Sequence, residues 1–124
     1  MQVLIEVAEE MRRLAYAPYS RYAVGAALLG ASGRVYGGCN VENASFGLTI
    51  CAERAAVAKA ISDGEQEFIA IMVVTEDGGS PCGACRQVLA EFSPYMEVYI
   101  AKPDGMPVHK TVAELLPDSF SLRR

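Results

Sequence analysis

Two short cysteine elements limit what this 124-residue chain can fold into. The first is Cys51-Ala52-Glu53-Arg54, which places a thiol two residues before a carboxylate. The second is Pro81-Cys82-Gly83-Ala84-Cys85, a pair of thiols three residues apart. The thiolate is the metal-binding form of cysteine, and the positive end of a helix favours it. Cys51 opens an alanine-rich stretch running to Asp63, which reads as a helix stopped by Gly64. Cys82 and Cys85 lie at or within the first turn of a second helix, predicted over 84–92. A fold that uses both elements must bring two helix starts together on one face of a sheet.

The rest of the chain supplies such a sheet. Leu4, Val7, Ala8, Met11 and Leu14 recur at helical spacing and predict an amphipathic helix over 2–16, ended by Pro18. Strands are predicted over 24–29 and 34–40, joined at Gly30-Ala31-Ser32-Gly33 as a hairpin. Alternation is poor in the first strand, so both its faces should be covered. Residues 41–50 mix apolar and polar types irregularly and read as a loop that lines a pocket. Ile69 to Val74 is a continuous apolar run suited to a central strand. A further strand follows over 97–101, then a short helical piece over 112–116. This alternation predicts one domain over residues 1–124, of layered α/β class, with a mixed β-sheet flanked by helices.

Composition removes several classes. Hydrophobic residues make up 52% and charged residues 21%, which excludes a disordered chain. No apolar run approaches the ~20 residues of a membrane span. The net charge is -4 and the basic residues are scattered, which argues against a nucleic-acid partner and favours a small ligand. Glu6 and Glu9 come too early for a secretory leader, so the four cysteines are expected in the reducing cytoplasm, as metal ligands rather than disulfides. The single histidine, His109, reads as a surface residue in a turn, and one histidine cannot build a His-based metal site.

Cys51, Cys82 and Cys85 make three ligands for Zn²⁺ and leave the fourth tetrahedral position open, as in catalytic rather than structural sites. Cys39 has no partner at short spacing and reads as a buried inert thiol; closing the site with it would give a structural staple instead. Three thiolates leave the ion with excess negative charge. Arg54 and Gln87 are placed to offset that charge by donating to the sulfurs. Glu53, in the first turn of a buried helix, is the candidate proton carrier for an activated water. The competing reading is an acid favoured only by the helix dipole, worth ~0.3–1 kcal/mol.

At these residues the chain resembles the zinc deaminases of nucleosides and nucleobases, which carry a His- or Cys-Ala-Glu element followed by Pro-Cys-x-x-Cys. The all-cysteine form, with Ala17-Pro18-Tyr19-Ser20, Val24-Gly25-Ala26-Ala27, Gly38-Cys39-Asn40-Val41-Glu42-Asn43 and Cys82-Gly83-Ala84-Cys85-Arg86-Gln87, looks like the small cytidine deaminases. The resemblance implies one zinc per subunit and hydrolytic conversion of cytidine and deoxycytidine to uridine and deoxyuridine, with release of ammonia, in pyrimidine salvage. It implies that Glu53 passes the water's proton to the ring N3 and then helps protonate the amino group, which leaves as ammonia. By the same resemblance Asn40 and Glu42 bind the ribose 3′-hydroxyl, and Ala52 lies against the substrate. Tyr22 stands where the family commonly has a phenylalanine packed on the base. Phe46 and Phe120 match pocket-closing aromatics, the latter reaching a neighbouring subunit of a homotetramer with sites at its interfaces. Ile50 departs from relatives with a polar residue there. A tRNA substrate conflicts with the acidic charge, and an antibiotic substrate with Asn40-Val41-Glu42-Asn43.

Overall fold

The structure is a computed structural model that describes residues 1–122, leaving the last two residues of the predicted domain outside. Its elements are helix α1 (Gln2–Leu14), strands β1 (Val24–Gly30) and β2 (Val35–Cys39), helix α2 (Ala52–Ser62), strand β3 (Phe68–Thr75), helix α3 (Gly83–Ala90), strands β4 (Glu97–Ala101) and β5 (Val108–Thr111), and helix α4 (Val112–Leu115). The five strands form one mixed sheet in the order β2-β1-β3-β4-β5. Only β3 and β4 pair in parallel, with α3 as their crossover; the other neighbours are antiparallel.

Both faces of the sheet are covered, as the poor alternation of β1 and the continuous run in β3 require. On one face Leu4 and Ala8 of α1 pack on Ala27, Met72 and Val74. On the other, Ala52, Ala56, Val57 and Ala60 of α2 and Leu89 of α3 pack on Ala26, Leu28, Ile71 and Val73. Backbone approaches backbone closely on both sides. A Cβ at Gly25 would stand 1.9 Å from the Ala8 carbonyl oxygen, and one at Gly38 would stand 2.5 Å from both the Ala52 carbonyl oxygen and the Ala56 nitrogen. Glycine in β2 therefore sets how deeply the first turns of α2 sit.

Three expectations are corrected. Helix α1 ends at Leu14 rather than 16, because Tyr16 pairs with the segment after β2: its N–H donates to the Asn40 carbonyl (3.0 Å) and its carbonyl accepts from Glu42 (2.8 Å). His109 is a strand residue and not part of a turn. Its ring is exposed, as expected, with Nε2 2.9 Å from Glu97 Oε1 across the β4–β5 pair. Helix α2 is not buried on most sides, since Ala58, Lys59 and Ile61 face solvent. No helix among the described residues is long and apolar enough to cross a membrane.

Candidate metal and catalytic site

Cys51 is the N-cap residue of α2 and Cys82 that of α3, and Cys85 lies in the first turn of α3. Because α2 and α3 share one face of the sheet, their starts meet. The three Sγ atoms lie within 4.8 Å of one another, with Cys82 and Cys85 3.5 Å apart. Zn–S bonds of ~2.3 Å in tetrahedral geometry need sulfurs roughly 3.8 Å apart, so the donor set fits zinc with small adjustment. Cys39 is not part of this cluster and is half-buried at the end of β2, rather than buried as expected.

The thiols do not titrate alike. Cys51 is drawn down to about 5 by a hydrogen bond from Cys85, with Arg54 adding to the effect, while Cys85 is pushed up because it holds that shared proton and is buried. Arg54 Nη2 lies 3.4 Å from Cys51 Sγ and donates to the Thr49 carbonyl at 3.1 Å, and its Nε is buried without a partner. The guanidinium thus stands against the Cys51 sulfur. Gln87 does not: its amide donates to the Phe120 carbonyl at 2.9 Å, since its place on α3 aims it at the C-terminal segment.

The sulfurs open into a cavity of about 230 Å³. Glu53 and Ala52 lie in it beside the thiols, with Tyr22 and Asn40 on its wall. Glu53 is 5% exposed, and burial raises its carboxyl above the ordinary carboxylate range. Asn40 is also buried and is held from both ends. Its Oδ1 accepts from Val24 N–H at 2.9 Å and its Nδ2 donates to the Tyr22 carbonyl at 2.8 Å, which leaves one amide hydrogen unused. Glu42 lies in an adjoining depression with Tyr19, Phe46 and Thr49. Its carboxylate accepts from the Tyr19 and Ser20 N–H groups (2.9 and 3.1 Å) and from the Ser20 hydroxyl, which holds its pKa down. Phe46 and Phe120 are 76% and 69% exposed and do not line the cavity of the thiols. The 41–50 loop does reach it, through Thr49.

Sequence reasoning missed Thr75, Gly79 and Ser80, which also line the cavity, Asp77, which bonds to Thr75 and Gly79, and Arg86, which ties down Ser80 and Pro81. Thr75 is the one polar end of an apolar strand and is 3% exposed, a signal the sequence did carry. The Arg86 guanidinium donates to the Pro81 carbonyl (2.7 Å), the Leu115 carbonyl (2.8 Å) and the Ser80 hydroxyl (2.8 Å).

The family model for the cytidine and deoxycytidylate deaminase zinc-binding region matches residues 1–102. This chain belongs to that family. It is 49% identical over 124 residues to the cytidine deaminase of Sporosarcina psychrophila, covering 98% of this chain and 91% of that protein. It is 51% identical over 123 residues to the one from Halalkalibacterium halodurans, covering 97% and 93%. The crystal structure of the cytidine deaminase from Burkholderia pseudomallei superposes with a TM-score of 0.92 at 48% identity, over 96% of this chain and 98% of that one. The family's zinc-binding character agrees with the three convergent thiols.

Proposed function

We propose that this protein is a zinc-dependent hydrolase that converts cytidine and deoxycytidine to uridine and deoxyuridine, releasing ammonia. The observation that carries the reading is a nearly fully buried carboxyl, Glu53, in the same cavity as three converging thiols. Cys51, Cys82 and Cys85 would hold the ion, which when bound would supply the Lewis acidity that makes water nucleophilic near neutral pH. Glu53 takes a proton from that water and delivers it to N3 of the cytosine ring. The water oxygen bonds to C4, Glu53 carries the second proton of that oxygen to the 4-amino group, and the C4–N bond breaks to release ammonia and leave the C4 carbonyl of uridine. A carboxyl whose pKa is raised toward the working pH accepts and returns a proton with little penalty, a contribution typically worth ~10²–10⁴ in rate. Arg54 offsets the thiolate charge.

Ribose recognition by Asn40 and Glu42 is what the family resemblance implies, and the polar groups left over support it. Asn40 retains one donor hydrogen, and Glu42 retains lone-pair capacity after its three bonds to Tyr19 and Ser20. A hydroxyl between them both accepts and donates, as the ribose 3′-hydroxyl does. Tyr22 and Ala52 flank the base. Phe46 and Phe120, solvent-exposed on a single chain together with Leu48 and Ile50, are surfaces for neighbouring subunits of a homotetramer. Free cysteines at the site suit the cytoplasm, where the product uridine serves pyrimidine salvage. An ultraviolet assay across cytidine, deoxycytidine, cytosine, CMP and adenosine tests the assignment. Turnover of the two nucleosides with little of free cytosine or adenosine is expected; preference for cytosine or adenosine rejects it.

A further inference from the structure

Part of the cavity wall is built from two segments distant in sequence, and one hydroxyl joins them. The Tyr22 hydroxyl donates to Asp77 Oδ1 at 2.6 Å. The same oxygen accepts from Gly79 N–H at 3.0 Å, and the Thr75 hydroxyl lies 3.3 Å from it. The hydroxyl also rests on bare backbone: a Cβ at Gly79 would stand 3.0 Å from it and 3.3 Å from Asp77 Oδ1. Tyr22, Thr75 and Gly79 all line the cavity, and the loop that carries Asp77 runs straight into Pro81-Cys82. A phenylalanine at position 22 would have nothing to offer Asp77. Without the bond, the ring end loses its anchor on Asp77, and the loop loses that link to the segment before β1.

We infer that Asp77 is a positioning residue that fixes the Tyr22 ring as a rigid wall for the substrate's flat base, so that the Tyr22–Asp77 tether sets substrate affinity. This rests on the deaminase reading above. Burial and the Asp77 bond both raise the Tyr22 hydroxyl pKa, so it remains a donor throughout the physiological range. A ring held before binding loses less freedom when the substrate arrives, which favours binding and leaves the proton transfers at Glu53 untouched.

The test is a double-mutant cycle on the zinc-loaded protein, with zinc content, melting temperature, KM and kcat for cytidine measured for Tyr22→Phe, Asp77→Ala and the pair. Tyr22→Phe and Asp77→Ala should each raise KM about three- to tenfold, the scale of one hydrogen bond, with one zinc per chain retained and kcat changed much less. Tyr22→Phe should add nothing to KM or to the fall in melting temperature once Asp77 is alanine. Asp77→Asn keeps an acceptor oxygen for the hydroxyl and should restore KM. Independent, multiplying effects of the two substitutions on KM, additive falls in melting temperature, or an unchanged KM in Tyr22→Phe would overturn the tether. Failure of the unaltered enzyme to deaminate cytidine would instead overturn the deaminase reading, and the melting-temperature cycle would then decide the tether alone.

Discussion

At Glu53, burial raises the carboxyl pKa, so the folded protein binds a proton that the unfolded chain has already released. Stability of the metal-free protein should therefore fall as pH rises from the ordinary carboxylate value toward the raised one. Glu53→Gln removes that liability. The metal-free variant should melt above the wild type at pH 8 and level with it at pH 4, as calorimetry would show; equal melting temperatures at both would mean the carboxyl is not strained by burial. Arg54→Ala removes the cation beside the Cys51 thiolate, and a loss of about 10–100-fold in zinc affinity is expected by chelator competition. Asn40→Ala should impair cytidine far more than free cytosine; equal effects would remove the ribose assignment. The three thiols and Glu53 could be singled out in sequence because thiol spacing and a carboxylate two positions on carry their chemistry openly, whereas Asn40 was singled out only through the family resemblance. The actual bond of Gln87 was not, because it depends on where the chain's C-terminal segment returns.

Among the elements, the start of α3 is held by more than its own helix. Arg86 reaches from α3 back to the Pro81 and Ser80 positions and across to the end of α4. Helix α4 in turn is fixed by a capping box, in which the Thr111 hydroxyl accepts from Glu114 N–H at 3.2 Å and the Glu114 carboxylate accepts from Thr111 N–H at 2.8 Å. Arg86→Ala should cost about 2 kcal/mol or more, since charge-assisted bonds are among the stronger ones. It should also weaken zinc retention, because Cys82 follows Pro81 directly. An unchanged melting temperature and metal affinity would show that α3 is positioned by packing on the sheet alone. The helices and four of the five strands, β1 to β4, were legible from periodicity, apolar runs and turn signals. Strand β5 was not: most of its residues are exposed, so no hydrophobic alternation marks it, and pairing with β4 makes it a strand. The early end of α1 had the same cause, a backbone pairing made by Tyr16 that no local propensity encodes.

On the scale of the whole molecule, a sheet covered on both faces holds α2 and α3 side by side with their starts in register, and that arrangement makes one site from two cysteine elements. The depth of α2 depends on Gly38, where any Cβ meets helix backbone at 2.5 Å. Overpacking of this kind costs roughly 1–3 kcal/mol. Gly38→Ala should lower the melting temperature and, by shifting the Cys51 end of α2, lower zinc affinity more than a surface substitution such as Lys59→Ala. The exposed Phe46, Leu48, Ile50 and Phe120 are surfaces for the homotetramer proposed above from the family resemblance; four chains are expected in sedimentation, and a monomer at micromolar concentration would contradict it. The central claim is that Glu53 moves the protons of a hydrolytic deamination, and ammonia release from cytidine by zinc-loaded wild type and Glu53→Gln tests it most directly. The wild type should release one ammonia per uridine formed, while the variant keeps its fold and its zinc but slows by at least about 10²-fold; a variant that turns over at the wild-type rate would contradict it.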